Sequence, residues 1–300
     1  MIRNLLERCR TVWDTRVDHW RYRYLPRLVD ILVSASTLQA KSRLGRVSAG
    51  LLIDNSVLGH SITHETAWVS TGQEKWGNIS FDAGYTARIC VFGPDSDSEV
   101  YRNVTFLPGI AHLARKGRIE FCTSAELQSE QFHQPVGRFQ GYGYFDHGLL
   151  RDIHLRSVDG YVLPSMGPAW MKLPNSREQQ QARLARSDDP LYAALLEQLG
   201  PKNNLDAWHI CTAERHGLFC FLTMDFRLKR LIDANAHREP FCSLRTRVMT
   251  PAELGGYLGL IPIPPVFFSY HGASWFVRPD LHWPNNTRRP KRLYKHPERE

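Results

Sequence analysis

The stretch 205-LDAWHICTAERHGLFCFLTMDFRL-228 sets a mixed apolar and polar segment, a glycine, a short apolar run and a second acid in succession. Asn203 and Asn204 stand at the entrance of the first segment and Gly217 at its exit, the signals of a helix start and a C-cap. LFCFLT is too short for a core helix and is bounded by turn residues, so it reads as a buried strand. DFRLKRLIDA then restarts a helical pattern. This order of helix, buried strand and helix sets Asp206 in the first turn of one helix and Asp225 just past the end of a strand.

The same rhythm continues outward. RVMTPAELGGYLGLI, at 247–261, offers Val248 and Met249 as a short strand and Thr250-Pro251-Ala252-Glu253 as a capping box with proline at the first helical position. Upstream, FLPGIAHLARKGRIEFCTSAELQSEQF predicts a short helix through Ile110, Leu113 and Ala114, a C-cap at Gly117, the strand IEFC and another helix. Further back, SAGLLIDNSVLGHS at 48–61 reads as a buried strand that stops at Asp54-Asn55. Alternating strands and helices of this kind imply an α/β fold with a mainly parallel sheet covered on both faces.

Around this frame lie less regular segments. Residues 1–47 read as a basic helical N-terminal segment interrupted at Pro26. NISFDAG and TARICVFG suggest a β-hairpin inserted at about 76–94. Residues 132–165 lack a clean period and read as a long loop within an insertion at about 132–202, of which 176–199 is helical. After Pro262 the sequence turns proline-rich, aromatic and then basic, which sets the expected domain edge there, with 262–300 as a tail.

Three hundred residues, 42% of them hydrophobic, can bury one large core or two small ones. The opening MIRNLLERCR lacks the apolar run of a secretory signal, and no stretch approaches the roughly 20 apolar residues that cross a bilayer. The expectation is a soluble, cytoplasmic protein without membrane association. Six cysteines are scattered without a C-x-x-C pair and read as reduced thiols. His60 and His64 would share a helix face, but no third ligand follows at zinc-site spacing. The net charge of +8 lies wholly at the ends: 1–47 hold ten Lys/Arg against four acids, and 278–300 hold seven against three. Basic arms carrying Trp13, Trp20, Tyr22, Tyr24, Trp283 and Tyr294 suit a polyanion such as RNA, with solvated or packed termini as the alternative.

Four acids share a position type. Asp54 follows a strand, Glu126 opens the helix after IEFC, Asp206 opens a helix, and Asp225 follows LFCFLT. Each has an ordinary structural explanation: a turn at Asp54, a capping box from Thr123 to Glu126, a favourable dipole contact at Asp206 and an N-cap at Asp225. Together, the carboxyl ends of parallel strands lie along one edge, where ligands bind. Two like charges 4 Å apart repel by about 4 kcal/mol at an effective dielectric of 20, so such a cluster calls for a cation. Hard oxygen donors point to Mg²⁺ or Mn²⁺. Thr223, on the strand face of Asp225, is a candidate to bind substrate phosphate. Its alternative is a bond to local backbone. Glu130, one turn past Glu126, reads as a solvated glutamate, with a place in the same cleft as the alternative, and His209, one turn past Asp206, reads as structural.

LLIDNSVLG, then FCTSAELQSE, then the opening stretch followed by VMTPAEL resemble a PIN-domain ribonuclease in order and element placement. The most specific part is D-x-x-x-x-x-x-A on a helix with T-x-D at a strand end, nineteen residues from acid to acid. The resemblance covers about 48–61, 107–131 and 203–261. It implies a PIN-like three-layer sandwich and an endoribonuclease in which Asp54, Glu126, Asp206 and Asp225 bind one or two Mg²⁺ or Mn²⁺ ions and cut RNA. Cleavage of DNA by the same acids, and a catalytically inactive PIN-like module that binds RNA or a protein, are the alternatives. A protein partner or a homo-oligomer is left open. A phosphatase of the haloacid-dehalogenase type would need a second acid at position 56, where this chain has Ser56.

Overall fold

The computed structural model describes residues 2–44, 49–93, 96–160, 164–273 and 276–282. The chain opens with helix α1 (Ile2–Ser36) and a short α2 (Ala40–Arg43), then enters β1 (Ala49–Ile53) and α3 (Asn55–His60). A long hairpin follows, β2 (Ile62–Trp76) and β3 (Ile79–Cys90), then α4 (Glu99–Val104), α5 (Leu107–Arg115), β4 (Ile119–Thr123) and α6 (Ala125–Phe132). The middle of the chain holds α7 (Gly137–Gln140), β5 (His147–Gly148), β6 (Arg156–Ser157), α8 (Ser176–Ala185) and α9 (Pro190–Leu199). The last part runs α10 (Asn204–Arg215), β7 (Cys220–Leu222), α11 (Phe226–Ala234), β8 (Arg247–Met249), α12 (Pro251–Leu258), a 3-10 turn at Pro265–Tyr270 and β9 (Val277–His282).

Five strands form one parallel sheet in the order β6-β4-β1-β7-β8, with Leu51 of β1 level with Phe121 of β4 and Cys220 of β7. The expected α/β class with a mainly parallel, doubly covered sheet is what forms. Side chains on a strand alternate between faces, and β1 shows the consequence. Leu51 and Ile53 enter one core with Val29 and Val33 of α1, Leu107 and Ile110 of α5, and Leu254 of α12. Leu52 enters the other with Leu127 of α6, Leu195 of α9, Ile210 of α10 and Leu228 of α11. Among the described residues, no helix is long and apolar enough to cross a membrane.

A second sheet, β5-β2-β3-β9, was not foreseen. NISFDAG and TARICVFG are not two strands but the single strand β3, and its partner is ITHETAWVSTGQEKW, which turns back at Gly77. His60 and His64 consequently fall on a helix and a strand, not on one helix face. Pro26 does not break α1: the helix runs through it, anchored on the core by Val29 and Val33. The stretch 132–165 holds α7, β5 and β6, and 176–199 is two helices, parted before Pro190, where Asp189 accepts bonds from the Leu191 and Tyr192 amides to cap α9.

The chain past Pro262 does not leave the body. The Ile263 amide bonds the Thr105 carbonyl at 2.8 Å, Phe268 is buried, and β9 pairs in parallel with β3. The expected edge at 262 therefore cuts through packed structure. Residues 283–300, with most of the basic tail, lie outside the described residues.

Candidate active site

β1 and β7 are neighbours, yet the chain leaves β1 toward β4 on one side and β7 toward β8 on the other. That reversal makes the crevice at their carboxyl ends the topological switch point, where open α/β sheets bind ligands. Asp54 directly follows β1, and its amide bonds the Leu222 carbonyl of β7 at 3.0 Å. The backbone of Asp54 occupies the N-cap position of α3, but its side chain does not cap the helix. Instead Oδ2 accepts the Thr223 hydroxyl at 2.7 Å and the Ser56 hydroxyl at 2.5 Å. These hydroxyls are held in turn by the Asp225 amide at 3.0 Å and the Met224 amide at 2.9 Å. The result is a lattice of hydroxyls that ties the two strand ends together and leaves Oδ1 outside it. Burial raises the Asp54 pKa, against the pull of Ser56 and Thr223.

Thr223 is fully buried, with its hydroxyl donated to Asp54 and accepting from the Asp225 amide. It positions Asp54, and the expectation that it binds substrate is corrected.

Asp225 is exposed, and its Oδ1 caps α11 by accepting the Arg227 and Leu228 amides, both at 2.9 Å. The ordinary capping role is thus real, but it uses one oxygen. Asp206 sits in the first turn of α10, and among the described residues no hydrogen bond or ion pair reaches its carboxylate. Burial first, and then the charges of Asp54, Asp225 and Glu130, push its pKa up to about 7, with His209 opposing. Three acids from three separate segments therefore share one electrostatic field.

Glu126 does not join them. Its carboxylate is clamped by Arg183 of α8, Nε to Oε1 at 3.0 Å and Nη2 to Oε2 at 2.9 Å, and Gln180 bonds its carbonyl. This ion pair fastens α8 to α6. The expected capping box is also displaced by one residue: Ser124, not Thr123, accepts the Leu127 amide.

Glu130, one turn further along α6, takes the place expected of Glu126. Its Oε1 lies 2.9 Å from His209 Nε2, and its Oε2 accepts the Asn55 amide nitrogen at 3.0 Å. Burial works against both charges, but the pairing outweighs it, so Glu130 is held below and His209 above its ordinary pKa. His209 Nδ1 is buried without a partner among the described residues. The signal for Glu130 in the sequence was its one-turn spacing from Glu126, which carried no information about which of the two Arg183 would claim.

Among the described residues, no three His, Cys, Asp or Glu side chains stand at the spacing of a formed ion site. The donor chemistry nonetheless fits a hard divalent cation: Asp206 carries a carboxylate without a partner, and Asp54 and Asp225 each engage only one oxygen in the bonds just described. Beside the cluster, Ser56 also lines a cavity of about 340 Å³ whose other walls include Gly59, Ile62 and Arg138. No family model, curated protein or solved structure matches the chain.

Proposed function

We propose that the chain is a divalent-metal-dependent nuclease that hydrolyses RNA phosphodiester bonds at the crevice between β1 and β7. The observation that carries this reading is the Asp206 carboxylate, half-buried, without a hydrogen-bond partner among the described residues and within the field of Asp54 and Asp225. A fold that holds acids in this way is poised to gain from a cation that relieves their repulsion. Asp54, Asp206 and Asp225 would hold Mg²⁺ or Mn²⁺. The ion, when bound, supplies Lewis acidity toward a phosphodiester. Ser56 and Thr223 fix the rotamer of Asp54, while Glu130 holds the His209 imidazole, its pKa raised, next to Asp206 and Asp54. Arg138 gives the adjoining cavity a cation for a flanking phosphate.

The test is cleavage of a single-stranded RNA by the purified protein with and without Mn²⁺. Cleavage is expected with the ion, at least 100-fold slower in Asp54→Asn and Asp206→Asn, in line with loss of a positioned catalytic charge. Undiminished cleavage in EDTA, or by Asp54→Asn, would overturn the reading. A DNA oligonucleotide of the same sequence separates the two polymers.

A second reading, a PIN-like module that binds RNA or protein without cleaving, draws support from one feature. Glu130 is already engaged by His209 and Asn55, and among the described residues no three acids, histidines or cysteines are grouped to hold an ion. Mn²⁺ binding by calorimetry separates the two, since a pure binding module has no use for the ion.

A further inference from the structure

Helix α1 has two apolar faces. One, through Val29 and Val33, packs on the core. On the opposite side Tyr24, Leu28 and Ile31 are 37%, 47% and 64% exposed. At 100° per residue, Ile31 lies about 160° from both Val29 and Val33, so a single packing surface cannot serve both faces. A helix that is apolar on opposite sides needs two partners, and the body supplies one.

The spacing on the exposed side is informative. Val17, Arg21, Tyr24, Leu28, Ile31 and Ala35 follow one another at intervals of four and three residues, and Leu38, 61% exposed, continues the series in the turn after the helix. This is the 3.5-residue period of a coiled-coil seam, held within the helix from Val17 to Ala35 with one charged position. The core-facing Tyr22, Val29, Val33 and Ser36 occupy the outer heptad positions, which a paired helix leaves free. A second helix can therefore approach the seam without meeting the body of its own chain.

We infer that this seam pairs with the same helix of a second copy of the chain, in parallel, to form a homodimer. Charge favours this occupant. In a parallel pair the residues flanking the seam, Trp20, Arg27 and Ser34, face Leu25, Leu32 and Gln39 of the other helix, and the one like pair, Arg21 with its own copy, is neutralised by Asp18, 3.1 Å from Arg21 in each chain. In an antiparallel pair centred on the seam, Arg27 would face its own copy. Size favours it as well: several large side chains about half exposed offer on the order of 500 Å² per copy, so the pair reaches the roughly 1,000 Å² that a specific interface must clear.

The test is sedimentation velocity on the full chain from about 1 to 100 μM. The mass of two chains is expected for the wild type, and that of one chain for Leu28→Glu/Ile31→Glu with unchanged circular dichroism, because both positions face away from the core. Orientation is read from Ile31→Cys under mild oxidation, which is expected to yield a covalent dimer well above the wild-type background. A monomeric wild type at every concentration would overturn the inference. So would a dimer untouched by the double substitution, or a monomer that co-sediments with anionic liposomes.

Discussion

Asp206 and Glu126 are both half or more buried acids near the same crevice, and their surroundings give them opposite roles. Arg183 holds Glu126 by two bonds, so Glu126→Gln is expected to leave a partly buried guanidinium poorly paired and to cost about 1–3 kcal/mol of stability, read by denaturant unfolding, without affecting Mn²⁺ binding. Glu130→Gln removes the partner of the buried His209 and is expected to destabilise the fold as well, because burial then acts on the imidazole without a compensating anion. For Asp206, whose folded pKa near 7 exceeds the unfolded 3.8, the fold favours the protonated form. The penalty on the ion-free fold is absent below the unfolded value, grows as pH rises between the two, and is complete above about 7. Asp206→Asn is therefore expected to match the wild type near pH 4 and to exceed it by on the order of 2–4 kcal/mol at pH 8, in EDTA. The difference between the two proteins is the quantity to follow. His64, buried, and His147, half-buried, are depressed by desolvation below the ordinary histidine value and add the opposite slope to both. Their contribution is present above pH 6.5 and lost as pH falls. Position type in the sequence brought Asp54, Asp206 and Asp225 to one crevice, where their charges act on one another. It could not choose between Glu126 and Glu130, because the choice is made by an arginine 57 residues away.

At the scale of elements, local chemistry was legible wherever a cap or turn spoke for itself. The Thr250 box forms as read, with the Glu253 amide on the Thr250 hydroxyl and the Thr250 amide on the Glu253 carboxylate at 2.8 Å. Thr250→Ala is expected to cost about 1 kcal/mol in thermal or chemical unfolding, the usual worth of such a cap. The hairpin shows where this kind of reading fails. Gly84 looked like a turn residue between two strands, yet it lies inside β3, level with Ser70. A Cβ there would collide with the Val69 carbonyl and come within 2.9 Å of the Trp68 indole, so the glycine makes room for a neighbouring strand. Pro26 misleads in the same way. A proline removes one helical bond, but packing of the turns on either side of it carries α1 through.

At the scale of the molecule, the charge pattern and the proline-rich text past Pro262 suggested a detachable end, whereas the second sheet depends on that segment. Its strands were hard to read because β9, VRPDLH, has neither clean alternation nor β-branched residues beyond Val277, and it contains Pro279. What binds it is a group the sequence could not pair: Arg88, buried in the hairpin base, with its pKa lowered to about 10 by burial. Its guanidinium donates to the Phe145 carbonyl and, through Nη1, to the carbonyls of Ser269 at 3.0 Å and His271 at 2.6 Å, while its amide bonds the Phe276 carbonyl at 2.7 Å. Ending the chain at Ile261 would strip a buried cation of most of these acceptors, which costs several kcal/mol by itself. It would also uncover the surfaces that Ile263 and Phe268 close, at about 1.5–3 kcal/mol each. Against a typical margin of about 5–15 kcal/mol, the loss is enough to abolish the native state. A chain ending at 261 is expected to aggregate or to melt without a cooperative transition. A cooperative, soluble product from the shorter chain would show that residues 262–282 are an appendage after all.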